Sequence, residues 1–545
     1  MKTNSFFRKQ FSSLLIILFF SVSNTKAQSI NQYIKGHFNG SYENYSQYYM
    51  KDDKIITSLP SDRIGSNGFL KLDYNYGKFS TGIQLESYLP PILGFFAVPV
   101  NNQSKIVNKY FKYTENKFSL QVGDFYEQFG NGLIFRAYEN RQIGINNALE
   151  GINVHLDATD FLKLKIVYGR SRSIEDNEIA YANSISRGID AEFDINKMIG
   201  IKEKEKTAHI TLAGSYLGKY EAYVGPVDNF PTTVNAFSGR IDLTSNHFTF
   251  NTEYVEKDKD PNKLNFYSSA KGKAIQVNTG YTKNNFGIAF TFRALSNMAF
   301  TAERETEFPS IAPLNYLPAL TKQQDYLTSS IYVYGTQILN ETGIQSDVYY
   351  NFKSGTKLGG KYGTKIAANF SLFQSLDSTK NIFSIGKKKY YSDANIEIKK
   401  KWSKKLETTL SFQNIFDCLS LQSISEPDVN ATIVAMGLLY KFAPQKSVRF
   451  KLEHLFVDND KGNWASALTE FSFSSPYAFF ISDLYNYGTT GNHYFNFGTS
   501  VTKKTTRFSL AFGKQREGLF CAGGVCRTVP ASYGFTASLT TSFAN

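Results

Sequence analysis

Long hydrophobic runs are missing from this 545-residue chain beyond its first 27 residues. Its longest apolar stretch, residues 11–22, falls short of the roughly 18 residues that a spanning helix needs, so a helical membrane protein is excluded. Cysteine is nearly absent, with three residues, and there are only 14 prolines and no low-complexity tract, which argues against a disordered region. Also missing are the HExxH, GxSxG, P-loop and GxGxxG patterns that place metal ligands, nucleophiles or phosphate-binding backbone. The six histidines, His37, His155, His209, His247, His454 and His493, stand in separate alternating segments without a motif and are expected to be satisfied lumen or interface residues. No catalytic residue, metal ligand or cofactor is therefore expected, and the chain is read as not an enzyme. A one-signed charge run is lacking as well: 60 Lys and Arg mingle with 47 Asp and Glu, which disfavours nucleic-acid binding.

What is present begins with an export signal. Lys2, Arg8 and Lys9 precede the apolar run, and Thr25-Lys26-Ala27 offers a small-residue cleavage site. Residues 1–27 are expected to be a signal peptide and residues 28–545 one mature domain, with no cysteine after the site to carry a lipid anchor. Removing the four cations Lys2, Arg8, Lys9 and Lys26 from a net charge of +13 leaves about +9. Aromatic residues are abundant, with 47 Phe and 35 Tyr. Such side chains favour pleated, half-buried surfaces, and tyrosine suits a membrane interface where one end is apolar and the other wet.

The mature sequence is organised by period-2 alternation. In residues 118–156, Phe118, Leu120 and Val122 interleave with Ser119, Gln121 and Gly123, and Ile152, Val154 and Leu156 interleave with Gly151, Asn153 and His155. Between these strands lies a long polar loop with Asp124, Glu127, Arg136, Glu139 and Arg141, which cannot face hydrocarbon. The alternation opens with Ile34, Phe38 and Tyr42 against Lys35, His37, Asn39, Ser41 and Glu43, which leaves no room for an N-terminal plug domain. Tight turns at 114–117, 157–160, 245–246, 283–284, 444–446 and 503–505 alternate with longer connections at 45–66, 89–100, 296–326, 417–430 and 514–531. Short turns on one rim and long loops on the other are the pattern of an outer-membrane barrel. The fold class is accordingly all-β: a single transmembrane antiparallel β-barrel of about 24 strands, within 22–26. A direct count gives about 25, and single-chain bacterial barrels carry even numbers. One strand between Tyr326 and Tyr390, where Gly343, Gly355, Gly359, Gly360 and Gly363 blur the boundaries, is therefore false or missed.

A barrel of that size is wide enough to need filling. The 89–100 segment and the loop after Val122 are the foremost candidates to fold inwards, with another protein as the alternative. Inward charges such as Lys165, Asp190, Arg240, Asp393, Arg449 and Glu453 are of mixed sign, which suits cross-strand ion pairs better than an anion-specific ladder. For Asp124, Glu127, Arg136 and Arg141 two roles stand level: a charged constriction of the channel, or bracing of the loop.

The motifs GDFYEQFGNGLIFR at 123–136 and GKQREGLFCAGGVCRTVP at 513–530 resemble those of a family of uncharacterised outer-membrane barrels of Gram-negative bacteria. The resemblance covers nearly the whole mature chain and implies a porin-like barrel in the outer membrane. It carries no activity, because the family has none assigned. The final strand, 533–543, is similar to the signal by which the barrel-assembly machinery recognises its clients, although Ala544 and Asn545 follow the usual terminal aromatic. Expected partners are outer-membrane lipid, that machinery during biogenesis and, through the loops, lipoproteins or other barrels. Two functions stay open: a porin-like channel or binding barrel for small polar solutes, and a non-conducting structural subunit of a larger outer-membrane assembly or secretion complex.

Cys521 and Cys526 flank Gly523-Gly524 in a chain bound for an oxidising compartment, so a disulfide is preferred over a free pair or a metal site, with Cys418 left as a buried thiol. Closing so small a loop contributes about 2 kcal/mol. Thiol labelling of denatured, non-reduced protein is expected to modify Cys418 alone. Modification of all three cysteines in protein isolated without reductant would rule the bridge out.

Overall fold

The computed structural model describes residues 36–545 except 56–58, 96–97, 100–101, 202–207, 223–229, 324, 378–380, 422–426, 474–475, 523–524 and the side chains of 521–526. The expected signal peptide, with Ile34 and Lys35, lies outside the described residues, as do the thiols of Cys521 and Cys526. The backbone sets Cys521 opposite Cys526 in a hairpin of Gly518–Ala522 and Val525–Val529. Cys418 is a buried free thiol. No helix among the described residues is long and apolar enough to cross a membrane.

Twenty-four antiparallel strands, from His37–Tyr49 to Ser532–Ala544, pair in chain order and close into a barrel where the first meets the last. Register at the seam runs from Asn39 opposite Ala544 to Tyr49 opposite Gly534. The two residues after the terminal aromatic have a place in this seam. Asn545 accepts from the Phe38 backbone N–H through its side-chain oxygen at 2.6 Å and donates its own N–H to the Phe38 carbonyl at 3.1 Å, while Phe543 stacks on Phe38.

Each strand obeys the alternation that formed it. Along Phe286–Ser296, Ile288 stands opposite Tyr281 and Val348 on the outer face, while the next residues inward, Thr291 and Arg293, meet Asn278 and Gln276. Outer side chains such as Ile241 (45% exposed) and Ile481 (58%) wrap the barrel in an apolar belt far larger than any water-facing patch, as a membrane wall requires. The glycine-rich region holds two strands, Asn340–Phe352 and Thr364–Leu376, joined by an 11-residue connection at the short-turn rim. That connection, 353–363, is long for its rim and accounts for the odd count.

The lumen is filled from the other rim. The connection between Phe118–Phe125 and Leu149–Asp157 and the one between Phe286–Ser296 and Asn340–Phe352 both fold inwards. Phe129, Leu133, Ile134 and Phe135 of the first pack with Met298, Phe300, Ala312 and Leu314 of the second into one buried cluster with Leu217, Val255 and Leu295 of the wall. Tyr332 and Tyr334 of the second loop join another cluster with Phe373, Tyr391, Ile415 and Trp464 across the barrel. Sequence placed 296–326 among the outer connections. It does leave the long-loop rim, but it turns inwards and is the larger part of the filling, because its apolar stretches around Phe300 and Leu314 bury against the wall rather than meet water.

Inward charges hold these loops. Arg293 gives Nη2 to Glu341 at 3.1 Å and Nη1 to the Pro318 carbonyl at 2.8 Å, and Glu341 also accepts from Tyr334 and the Gln337 N–H. Both charged side chains are at most 1% exposed. Arg293→Met leaves Glu341 buried without its cation and is expected to cost about 3–5 kcal/mol, whereas adding Glu341→Gln removes the orphaned charge and is expected to restore most of that. Urea unfolding of the detergent-folded barrel measures both, and equal losses in the single and double variants would contradict the clamp.

Candidate functional site

The inward turn of the first loop starts at Gly123. Its φ of +102° is one an L side chain rarely adopts, and a Cβ there would lie 2.2 Å from the Lys109 carbonyl oxygen. Strand Phe118–Phe125 therefore stops early, and the chain bends into the lumen. Glu127 then meets His155 Nε2 at 2.5 Å and Lys165 Nζ at 3.3 Å on the wall. At Gly130 the backbone passes Arg240 and Glu253 so closely that a Cβ would come within 2.5 Å of the arginine side chain. Next to it the Asn131 N–H donates to Glu253 at 2.7 Å. Arg240 is itself held by Asp190 at 2.8 Å. On the way out, the Arg136 N–H donates to the Leu314 carbonyl, and its guanidinium lies over Tyr316 at 3.9 Å and Tyr138 at 4.8 Å.

The four residues expected to form a constriction are thus spread over different places. Asp124 is buried in the wall, accepting from the Lys109 N–H at 2.8 Å and the Tyr181 hydroxyl at 2.7 Å. Glu127 sits at the loop's base, and Arg136 between the two infolded loops. Arg141 alone borders open space, bonded to Glu43 and Glu139 at 2.9 Å each and stacked on Phe69 at 4.7 Å.

That open space is a slot of about 730 Å³ along the C-terminal wall, bordered on the other side by Arg141 and Gln142 of the first infolded loop. Wall hydroxyls line it, among them Ser472, Ser509 and Ser538, together with Arg507 and the pair Arg449–Glu470 at 3.2 Å. The members of that pair are 48% and 42% exposed, so water reaches them. At the long-loop end stands Arg527, which gives Nε to the Gln142 carbonyl and Nη1 to the Gly94 carbonyl at 3.0 Å each, with Phe95 stacked against it at 3.9 Å. Burial holds its guanidinium down to about 10, still cationic at neutral pH. Ile92 and Phe95 of the 89–100 segment border the slot at this end. Sequence reasoning missed Arg527 and Arg507; for Arg507 the available signal was its alternation with Thr505 and Ser509. Among the described residues no group of three or more His, Cys, Asp or Glu is placed to hold a metal ion.

The model of a family described as "Family of unknown function (DUF6029)" matches residues 8–543. The chain belongs to this family. No curated protein matches it in sequence. Among solved structures, this DUF6029 barrel is similar to the Escherichia coli P pilus tip assembly intermediate PapC-PapD-PapK-PapG, with a TM-score of 0.50 and 9% identity over 93% of this chain and 61% of that chain. It is also similar to the siderophore receptor PirA from Pseudomonas aeruginosa (TM-score 0.40, 9% identity, 93% and 80% covered) and to Acinetobacter baumannii OccAB4 (0.37, 10%, 94% and 100%). At such identities the likeness shows the fold alone, that of outer-membrane barrels of Gram-negative bacteria.

The base of the infolded loop titrates. Burial would raise the Glu127 carboxyl, but the His155 hydrogen bond and the Lys165 charge outweigh it and hold it at about 2. A carboxyl depressed in the folded state stabilises the fold above its ordinary value, near 4.3, and that stability is lost as pH falls toward about 2. Glu127→Gln is expected to flatten the pH dependence of the melting temperature across this window. An unchanged profile would mean that the loop is not anchored here.

Proposed function

We propose that this chain is a porin-like barrel that passes small polar solutes through the slot between its infolded loops and its C-terminal wall. One observation carries the reading: a space of about 730 Å³ lined by hydroxyls, by apolar side chains such as Leu439 and Phe480, and by the solvent-reached pair Arg449–Glu470, inside a barrel where inward charges such as Arg240, Arg293 and Glu341 are buried under loops. Had the loops served only to close the lumen, exposed charge along an unfilled sector would have no purpose in packing. Hydroxyls and arginines exchange water for solute polar groups at low cost, and Arg141, Arg449, Arg507 and Arg527 against Glu470 give the slot a cationic lining. Of the proposed constriction, Arg141 is the member that faces this route. The reading places the mature protein in the outer membrane and invokes no catalysis.

Planar-bilayer recording tests it. Wild-type barrel is expected to conduct, and Arg449→Glu to shift the reversal potential towards cation preference, while Arg136→Glu, remote from the slot, leaves it nearly unchanged. Folded protein that stays silent and purifies with stoichiometric partners would favour the structural-subunit reading instead.

A further inference from the structure

The outer side of the short-turn rim carries a groove that the channel reading does not use. It lies between the turn at Asn284-Asn285 and the connection 353–363 and encloses about 690 Å³. Its walls are of two kinds. Phe286, Tyr350 and Phe352 face outward from the strands; Phe286 stands opposite Tyr350 in register, and Tyr350 is 42% exposed. Lys283, Lys353 and Lys357 border the same space nearer the rim, all three exposed. The connection that shapes the groove is built rather than slack. Gly355 donates its N–H to the Gly360 carbonyl at 2.7 Å, Gly360 to Thr356 at 2.8 Å, and Gly363 to Gly359 at 2.9 Å, and Lys401 ties it to the next turn at 3.2 Å.

Charge around this groove is one-sided. Segments 283–286, 353–365, 399–405, 441–446 and 503–505, which form this half of the rim, contain fourteen lysines and no acid. Several lysines lie instead over aromatic faces: Lys365 over Tyr349 at 5.2 Å, and Lys400 over Trp402 at 4.6 Å. The opposite half of the same rim is neutralised, with Lys78 on Glu115, Lys117 on Asp160 and Lys197 on Asp194. Lys399 has Glu407 at 3.8 Å, and the like charges that remain around this arc repel one another unless an anion outside the chain sits among them.

We infer that the groove binds an anionic phospholipid, with Lys283, Lys353 and Lys357 on the headgroup phosphate and an acyl chain along Phe286, Tyr350 and Phe352. A lipid is chosen over an acidic protein because the groove continues the apolar outer wall, so its deeper half touches hydrocarbon while its cationic half stands at headgroup height. The shared chemistry is a phosphate, and free phosphate is the other source the test must separate. The inference is independent of whether the slot conducts.

Native mass spectrometry of the full chain, folded in detergent with equal amounts of phosphatidylglycerol and phosphatidylethanolamine, reads the binding. Wild type is expected to retain phosphatidylglycerol preferentially. Lys283→Gln, Lys353→Gln and Lys357→Gln together are expected to weaken that retention by about fivefold per lysine, while Lys78→Gln with Lys117→Gln leaves it unchanged. Lys357→Gln alone, in an exposed turn, serves if the triple variant loses the gel shift between unboiled and boiled samples that marks a folded barrel. Equal retention of both lipids, or unaltered retention in the folded triple variant, would overturn the inference. So would inorganic phosphate binding as tightly as the lipid, or an acidic polypeptide that leaves the membrane-purified barrel on the same substitutions.

Discussion

A charged side chain that points into a barrel's lumen keeps its water only while the lumen stays open. Many inward charges of this chain have lost that water, and the fold depends on how they are answered. Lys219 and Lys257 of the wall are fully buried, with Asp260 at 2.9 and 3.6 Å, and Arg304 from the longer infolded loop completes the group. Arg172 meets Glu86 in a buried pair at 2.6 Å, and Glu453 accepts from both the N–H and the hydroxyl of Thr328 at 2.9 Å. Desolvation offsets most of the Coulomb attraction in such pairs, so they add little net stability. What they determine is position. A loop displaced from the wall would leave charges with neither partner nor water, at several kcal/mol each.

The same constraint explains why the lumen is divided rather than blocked. Infolded loops cover the sectors where the wall carries Asp190, Arg240, Glu253, Arg293 and Glu341, all nearly inaccessible. Along the C-terminal wall the slot is lined by hydroxyls such as Ser472, Ser509 and Ser538 and by apolar side chains such as Leu439 and Phe480, with Arg449, Glu470 and Arg507 left in water. Small hydroxyls demand no covering, so the first infolded loop only borders this sector, through Arg141 and Gln142. A slot along one side of a 24-strand barrel is the geometric result.

Much of this was legible in the residues. Alternation of Phe286, Ile288, Phe290 and Phe292 with Gly287, Ala289 and Thr291 predicts a strand with one face in lipid, and it forms one. Short turns such as Lys503 to Thr505 marked one rim, and Gly123 at the edge of a charged loop marked where a strand leaves the wall. Less was legible in the site. Asp124, Glu127, Arg136 and Arg141 are near neighbours in sequence, yet each turns to a different partner, because the loop crosses the lumen and every few residues meets another wall.

The sequence by itself determined the strand faces, the two kinds of rim and the barrel class, because each of these follows from the period of neighbouring side chains. Only the tertiary structure decided which loops fill the lumen and which sector stays open. Those outcomes rest on contacts such as Asn131 with Glu253 and Thr328 with Glu453, more than a hundred residues apart, where one partner's charge has meaning only against the other's position.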